Sequence, residues 1–118
     1  MVYVKVRNAS RNAVLGDKIR VAASFTARAV GLLSAPVLKP GEGLWLAPCS
    51  SIHTFFMRYP IDAAFLDGAG KILACHTLAP WRWSAWHRGC RGVLELPSGT
   101  LKKTGSLPGD TLHFEGLN

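Results

Sequence analysis

Residues 61–78 read IDAAFLDGAGKILACHTL: an apolar run, the four residues Asp67-Gly68-Ala69-Gly70, and a second apolar run. Glycine supplies the backbone freedom a tight turn needs, and a loop of this length between two short apolar runs suits a β-hairpin. Outward from this hairpin the same grammar repeats. Short apolar or alternating runs at 2–7, 18–23, 43–48, 51–57, 92–97 and 110–115 read as strands, those from residue 43 onward bounded by Gly, Pro or Asp. VYVKVR places Val2, Val4 and Val6 on one face and Tyr3, Lys5 and Arg7 on the other. NASRNAVLGD, between the first two runs, reads as turn-rich. Helical spacing is best at Phe25, Ala29 and Leu32, with Ser24 as an N-cap and Gly31 and Pro36 keeping the helix short. The expected fold is therefore a mostly all-β domain: a compact barrel or sandwich of about eight short strands with one short helix near residues 24–34.

Composition narrows the class. A chain of 118 residues is expected to form a single domain over 1–118, long enough to bury a core without disulfides or metals. With 48% hydrophobic and 18% charged residues it is no disordered segment. No apolar run approaches the ~20 residues of a membrane-spanning helix, and the N-terminus alternates from its start rather than forming a secretory leader. The expectation is a cytoplasmic protein with no membrane partner. Cys49, Cys75 and Cys90 are odd in number and lack paired spacing, so they read as buried free thiols in a reducing compartment. Cys49 and His53 are too far apart along an extended segment to chelate together, and Cys75 and His76 point to opposite faces. Neither a metal nor another cofactor is expected. The net charge of +7 is scattered, with only Lys102 and Lys103 adjacent, which fits a small anionic ligand and at most weak, non-specific nucleic-acid binding.

Polar residues set in apolar surroundings mark the candidate site. In SIHTFFMRYPID (51–62), read as a strand up to Met57, Ile52, Thr54 and Phe56 share one face and His53, Phe55 and Met57 the other. His53 and Thr54 there need hydrogen-bond partners, and Asp62 at the head of an apolar run must be paired or wet. Arg58 is the nearest cation to Asp62 across the Tyr59-Pro60 turn. Glu95 shares a face with Val93 and Pro97 and reads as solvated or bonded to a turn. In PWRWSAWHRGCRG (80–92), Trp81, Trp83 and Trp86 interleave with Arg82, His87, Arg88 and Arg91. Indoles stack on bases or sugars and guanidinium groups grip phosphate or carboxylate; the same residues could equally anchor a loop and leave its arginines in water.

Several separated motifs then arrive in a fixed order. They are Gly31-Leu32-Leu33, Gly43-Leu44-Trp45-Leu46, His53 to Arg58 running on to Ile61-Asp62, Phe65-Leu66-Asp67, Gly70-Lys71-Ile72, Val93 to Gly99, and Gly105 with Gly109-Asp110. From about Arg28 to Phe114 the chain resembles the Domain of Unknown Function 192 family. Where that family usually has Phe-Trp-Met-Lys-Asn-Thr, this chain has Phe55-Phe56-Met57-Arg58-Tyr59-Pro60, which removes two polar side chains; Leu33 stands where the family often has Met. The resemblance implies a compact, mostly-β fold and no assigned activity.

Three functions follow as expectations. The first is a small-molecule or anion-binding domain with a site formed by His53, Arg58, Asp62, Trp81, Arg82 and Glu95. The second is an enzyme using His53 with Asp62 or Glu95 as acid and base, although no nucleophile elbow is present. The third is a weak nucleic-acid binder using the Trp/Arg loop over 80–92. The sequence leaves binding and catalysis both open, and it does not fix the oligomeric state.

Overall fold

The computed structural model describes residues 2–22, 37–54 and 57–117. Seven strands form one sheet: β1 (Tyr3–Asn8), β2 (Ala13–Ala22), β3 (Glu42–Leu46), β4 (Ile61–Leu66), β5 (Ile72–Leu78), β6 (Gly92–Pro97) and β7 (Leu112–Leu117). Their spatial order is β5-β4-β6-β3-β2-β1-β7. Neighbours are antiparallel except β2 and β3, which run parallel. The expected hairpin is present: Asp67 Oδ1 accepts the backbone N–H groups of Ala69 and Lys71 at 2.9 and 3.0 Å, fixing the turn between β4 and β5.

The sheet curls into a half-barrel. Trp45 on β3 and Phe114 on β7 are separated in the sheet by β2 and β1, yet their ring centroids lie 4.8 Å apart across the concave side. The two edge strands approach at one point, where Ile72 N–H donates to Asp110 O and Leu112 N–H to Gly70 O, each at 2.8 Å. Val6, Leu15, Ile19, Leu66, Leu94 and Leu96 are among the residues filling the concave side. Leu44, Leu46, Ile61, Phe65 and Val93 form a second core on the convex side, covered in part by Ile52 and Met57. All six residues of β4 are buried because both faces of that strand are covered, which is why IDAAFL reads as continuous rather than alternating.

The mostly β fold agrees with the expectation; its barrel is a half-barrel, and the described residues contain seven strands where about eight were expected. The missing one is SIHTFFM: its described residues, 51–54 and 57, form no strand of the sheet, and residues 52–54 are tied to the loop over 81–84, with one bridge between His53 and Trp83. Thr54 O accepts Met57 N–H at 3.2 Å, a turn that ends any extended pairing, and the segment is apolar because it covers the sheet's convex side. Strand β2 begins at Ala13, five residues before the expected start at Lys18, so only residues 9–12 form the turn. Gly16, inside β2, reflects close packing rather than a turn: a Cβ there would lie 2.6 Å from Ile19 Cδ1 and 2.8 Å from Gly41 O. The helix expected near 24–34 lies outside the described residues. A helix that the pattern did not announce, α1, spans Thr100–Thr104, with Gly99 and Gly105 at its ends in the left-handed conformation. Only Leu101 of α1 is buried, against the concave core.

Candidate functional site

The loop carrying three of the four tryptophans is laced to residues 52–54. Ser84 N–H donates to Ile52 O at 2.8 Å, Thr54 N–H to Arg82 O at 2.8 Å, and Trp81 N–H to Thr54 O at 2.9 Å. Side chains complete the ribbon: Ser84 Oγ accepts Ile52 N–H at 2.8 Å and Thr54 Oγ1 accepts Arg82 N–H at 2.8 Å. The Thr54 hydroxyl in turn donates to Ala79 O at 2.6 Å, and the residue is fully buried. The partner that the sequence demanded for Thr54 is therefore the loop itself. Ile52 and Thr54 point inward, which turns His53 out to stand edge-on to Trp83, ring centroids 5.3 Å apart. Trp81, Trp83 and Trp86 remain 53%, 66% and 65% exposed. Trp81 also holds a left-handed backbone at φ 63°, an uncommon conformation for a bulky side chain. The ribbon thus sets His53 against Trp83 and ties the backbones of Trp81 and Arg82 to the neighbouring Thr54.

Asp62 lies elsewhere. It is 1% exposed and pairs in register with Leu96, on the concave side of the sheet. Its Oδ1 accepts the Thr77 hydroxyl at 2.8 Å and its Oδ2 accepts Leu101 N–H at 2.9 Å. Gly99, at the N-cap of α1, has no side chain to offer, so Asp62 supplies the capping carboxylate from a distant strand. Arg58 is exposed in the turn that follows Met57.

Glu95 occupies the opposite side. Pairing across β5, β4, β6 and β3 sets His76, Ala63, Glu95 and Leu44 in one row on the convex face. Register therefore separates Asp62 and Glu95, the expected acid/base pair, by the thickness of the sheet. The sheet likewise stands between Asp62 and His53. Glu95 is 5% exposed, which corrects the solvated reading: its face is a second core rather than a surface. Burial pushes its carboxyl up to about 8, so it is largely protonated at neutral pH. Burial first, and then the charges of Glu95 and Glu42, raise the Tyr59 phenol. Among the described residues Glu95 has no side-chain hydrogen-bond partner.

At the far end of that row His76 stacks on His87 with centroids 5.4 Å apart, and His87 lies against Phe65 at 4.3 Å. Burial, and then His76, lower the His87 imidazole below its ordinary value, and its Nε2 is buried without a hydrogen bond among the described residues. The tryptophan loop drew attention to His87, but no sequence signal joined it to His76, because only the fold sets β5 beside that loop. Among the described residues no cluster of three His, Cys, Asp or Glu side chains has the arrangement to hold a metal ion. Among the described residues no helix is long and apolar enough to cross a membrane.

The family model described as Uncharacterized ACR matches residues 4–114. This chain belongs to that family, DUF192. Membership agrees with the curated relatives. The UPF0127 protein of Pyrococcus horikoshii is 36% identical over 113 residues, covering 91% of this chain and 96% of that one. The UPF0127 protein of Thermococcus sibiricus is 28% identical over 115 residues, covering 92% of this chain and 73% of its own. Solved structures share the DUF192 chain's fold. A protein of unknown function from Novosphingobium aromaticivorans superposes with a TM-score of 0.78 at 19% identity, covering 93% of this chain and 82% of its own. A proposed transcription regulator from Sinorhizobium meliloti gives 0.76 at 25% identity, covering 96% and 92%.

Proposed function

We propose that this protein binds a small anionic ligand carrying a flat or sugar face, which lies across Trp81 and Trp83 with its charge near Arg82 and His53. The observation that carries this reading is the exposure of three indoles on a backbone tied down by hydrogen bonds. Exposed aromatic surface concentrated in one loop is the usual mark of a binding face. A ribbon already fixed at Thr54 and Ser84 lowers the ordering cost that would otherwise weaken binding. The left-handed backbone at Trp81 adds a strained residue, of the kind that gathers at ligand sites.

The test is a tryptophan-fluorescence titration with nucleoside monophosphates and hexose phosphates. Saturable quenching is expected, lost in Trp83→Ala and Arg82→Ala while both variants melt like the parent. Absence of saturation with every compound at millimolar concentration overturns the proposal. Binding confined to oligonucleotides, weakening steeply with added salt, overturns it in favour of a nucleic-acid partner, an outcome in line with the proposed role of the Sinorhizobium meliloti relative.

A second reading, an enzyme with Glu95 as proton donor, is supported by one observation: a buried carboxyl lacking a hydrogen-bond partner among the described residues and held protonated near neutral pH. Its test is turnover of any substrate found by screening. A Glu95→Gln variant that keeps full turnover rejects it.

A further inference from the structure

A cavity of about 340 Å³ opens beside the Trp45–Phe114 ring pair, away from the tryptophan ribbon. Trp45, Leu66, Leu112 and Phe114 line it, and the hairpin turn Gly68-Ala69-Gly70 forms its lip. The turn cannot fill the space, since two of its three residues are glycines. Gly70 is fixed as glycine by its φ of +85° and by Leu112 O, which a Cβ would approach to 2.6 Å. The volume lies within the roughly 300–1,000 Å³ range of small-molecule sites.

Among the described residues, two charged ones line the cavity, Asp67 and Arg91, one of each sign. Asp67 follows Leu66 and Arg91 precedes Gly92, the last pair of the β4–β6 register, so both lie at the end of that ladder, with Arg91 N–H donating to Leu66 O at 2.8 Å. Opposite charges so placed ordinarily close into an ion pair. Among the described residues neither belongs to one. Asp67 directs Oδ1 to its own turn, leaving Oδ2 without a hydrogen bond among the described residues.

We infer that this cavity is a binding site for a small zwitterion, a free α-amino acid with an apolar side chain: Arg91 takes the carboxylate, Asp67 Oδ2 the ammonium, and Trp45, Phe114, Leu66 and Leu112 the side chain. A simple anion would meet the Asp67 carboxylate and a simple amine the Arg91 guanidinium, so only a ligand bearing both charges satisfies the lining. The inference does not depend on the ribbon site.

Calorimetric titration with L-phenylalanine, 3-phenylpropionate and 2-phenylethylamine tests it. Phenylalanine is expected to bind saturably, and each analogue, having lost one charge-assisted hydrogen bond, about tenfold or more weakly. Arg91→Gln should weaken phenylalanine and phenylpropionate and spare phenylethylamine. Asp67→Asn keeps the Oδ1 acceptor of the turn and should weaken phenylalanine and phenylethylamine. The proposal is overturned if phenylalanine fails to bind at millimolar concentration, if phenylpropionate binds as tightly as phenylalanine, or if both variants bind like the parent while melting normally.

Discussion

Asp62 on β4 reaches Leu101 in α1 across 39 positions of sequence, its Oδ2 accepting the Leu101 amide at 2.9 Å. A five-residue helix cannot nucleate alone, and a carboxylate at its N-terminus answers both an unpaired amide and the helix dipole. Asp62→Ala removes this contact and the one to Thr77 and leaves a buried amide without its acceptor. We expect a loss of roughly 1–3 kcal/mol in urea denaturation. Ligand binding at the tryptophan ribbon should persist in that variant under stabilising conditions. A variant as stable as the parent contradicts the capping role.

Glu95 and Asp110 should tilt stability in opposite directions with pH. The folded Glu95 carboxyl titrates at about 8 against an ordinary value of 4.5, so between these values the folded state holds a proton that the unfolded state has released. Stability contributed by Glu95 therefore falls as pH rises through that window and levels off above it. Asp110 is held down to about 2 from 3.8, first by Arg11 and then by Asn8. Its contribution is present above the ordinary value and is lost as pH falls towards 2. Denaturation midpoints of Glu95→Gln across pH 5 to 9 should decline less with pH than those of the parent. Parallel curves contradict the assignment.

Thr54 fastens the tryptophan loop through its backbone and its hydroxyl. Thr54→Val keeps the size but leaves Arg82 N–H and Ala79 O without that partner, at a cost of about 1–3 kcal/mol. Amide exchange at Arg82 should accelerate more than in β4, and ribbon binding should weaken although no proposed ligand-contacting side chain has changed. Unchanged exchange at Arg82 would tell against a hydroxyl that orders the loop.

Gly92 gives the Trp45 indole its place, since a Cβ there would lie 2.2 Å from Trp45 Cη2. Gly92→Ala must displace that ring and disturb its contact with Phe114. Overpacking of this kind costs roughly 1–3 kcal/mol, to be read by urea denaturation together with a change in the near-ultraviolet circular dichroism of tryptophan. Parental stability and an unaltered spectrum would contradict the tight contact.

Local pattern was enough for the strands whose neighbours lie close in sequence. The β4–β5 hairpin is written in residues 61–78, because turn chemistry and apolar runs act over a few residues. The demand of Asp62 for partners was legible too, since a carboxylate beside so apolar a run must be paired or wet, and the fold buries and pairs it.

Tertiary structure decided what depends on which face of a curled sheet a residue meets. Asp62 and Glu95 both sit in apolar strands, and only the register of β4 on β6 sends one to the concave side and the other to the convex side. Residues 51–57 carry enough bulk for a buried strand, yet their described part covers the sheet instead of joining it, because burial rewards apolar surface whether or not the backbone pairs. The Asp67–Arg91 cavity likewise exists only once the sheet curls far enough to bring Trp45 onto Phe114. Alternation and turn residues are local and survive in one sequence; register, curl and the side of the sheet on which a charge ends are set by contacts among residues far apart along the chain.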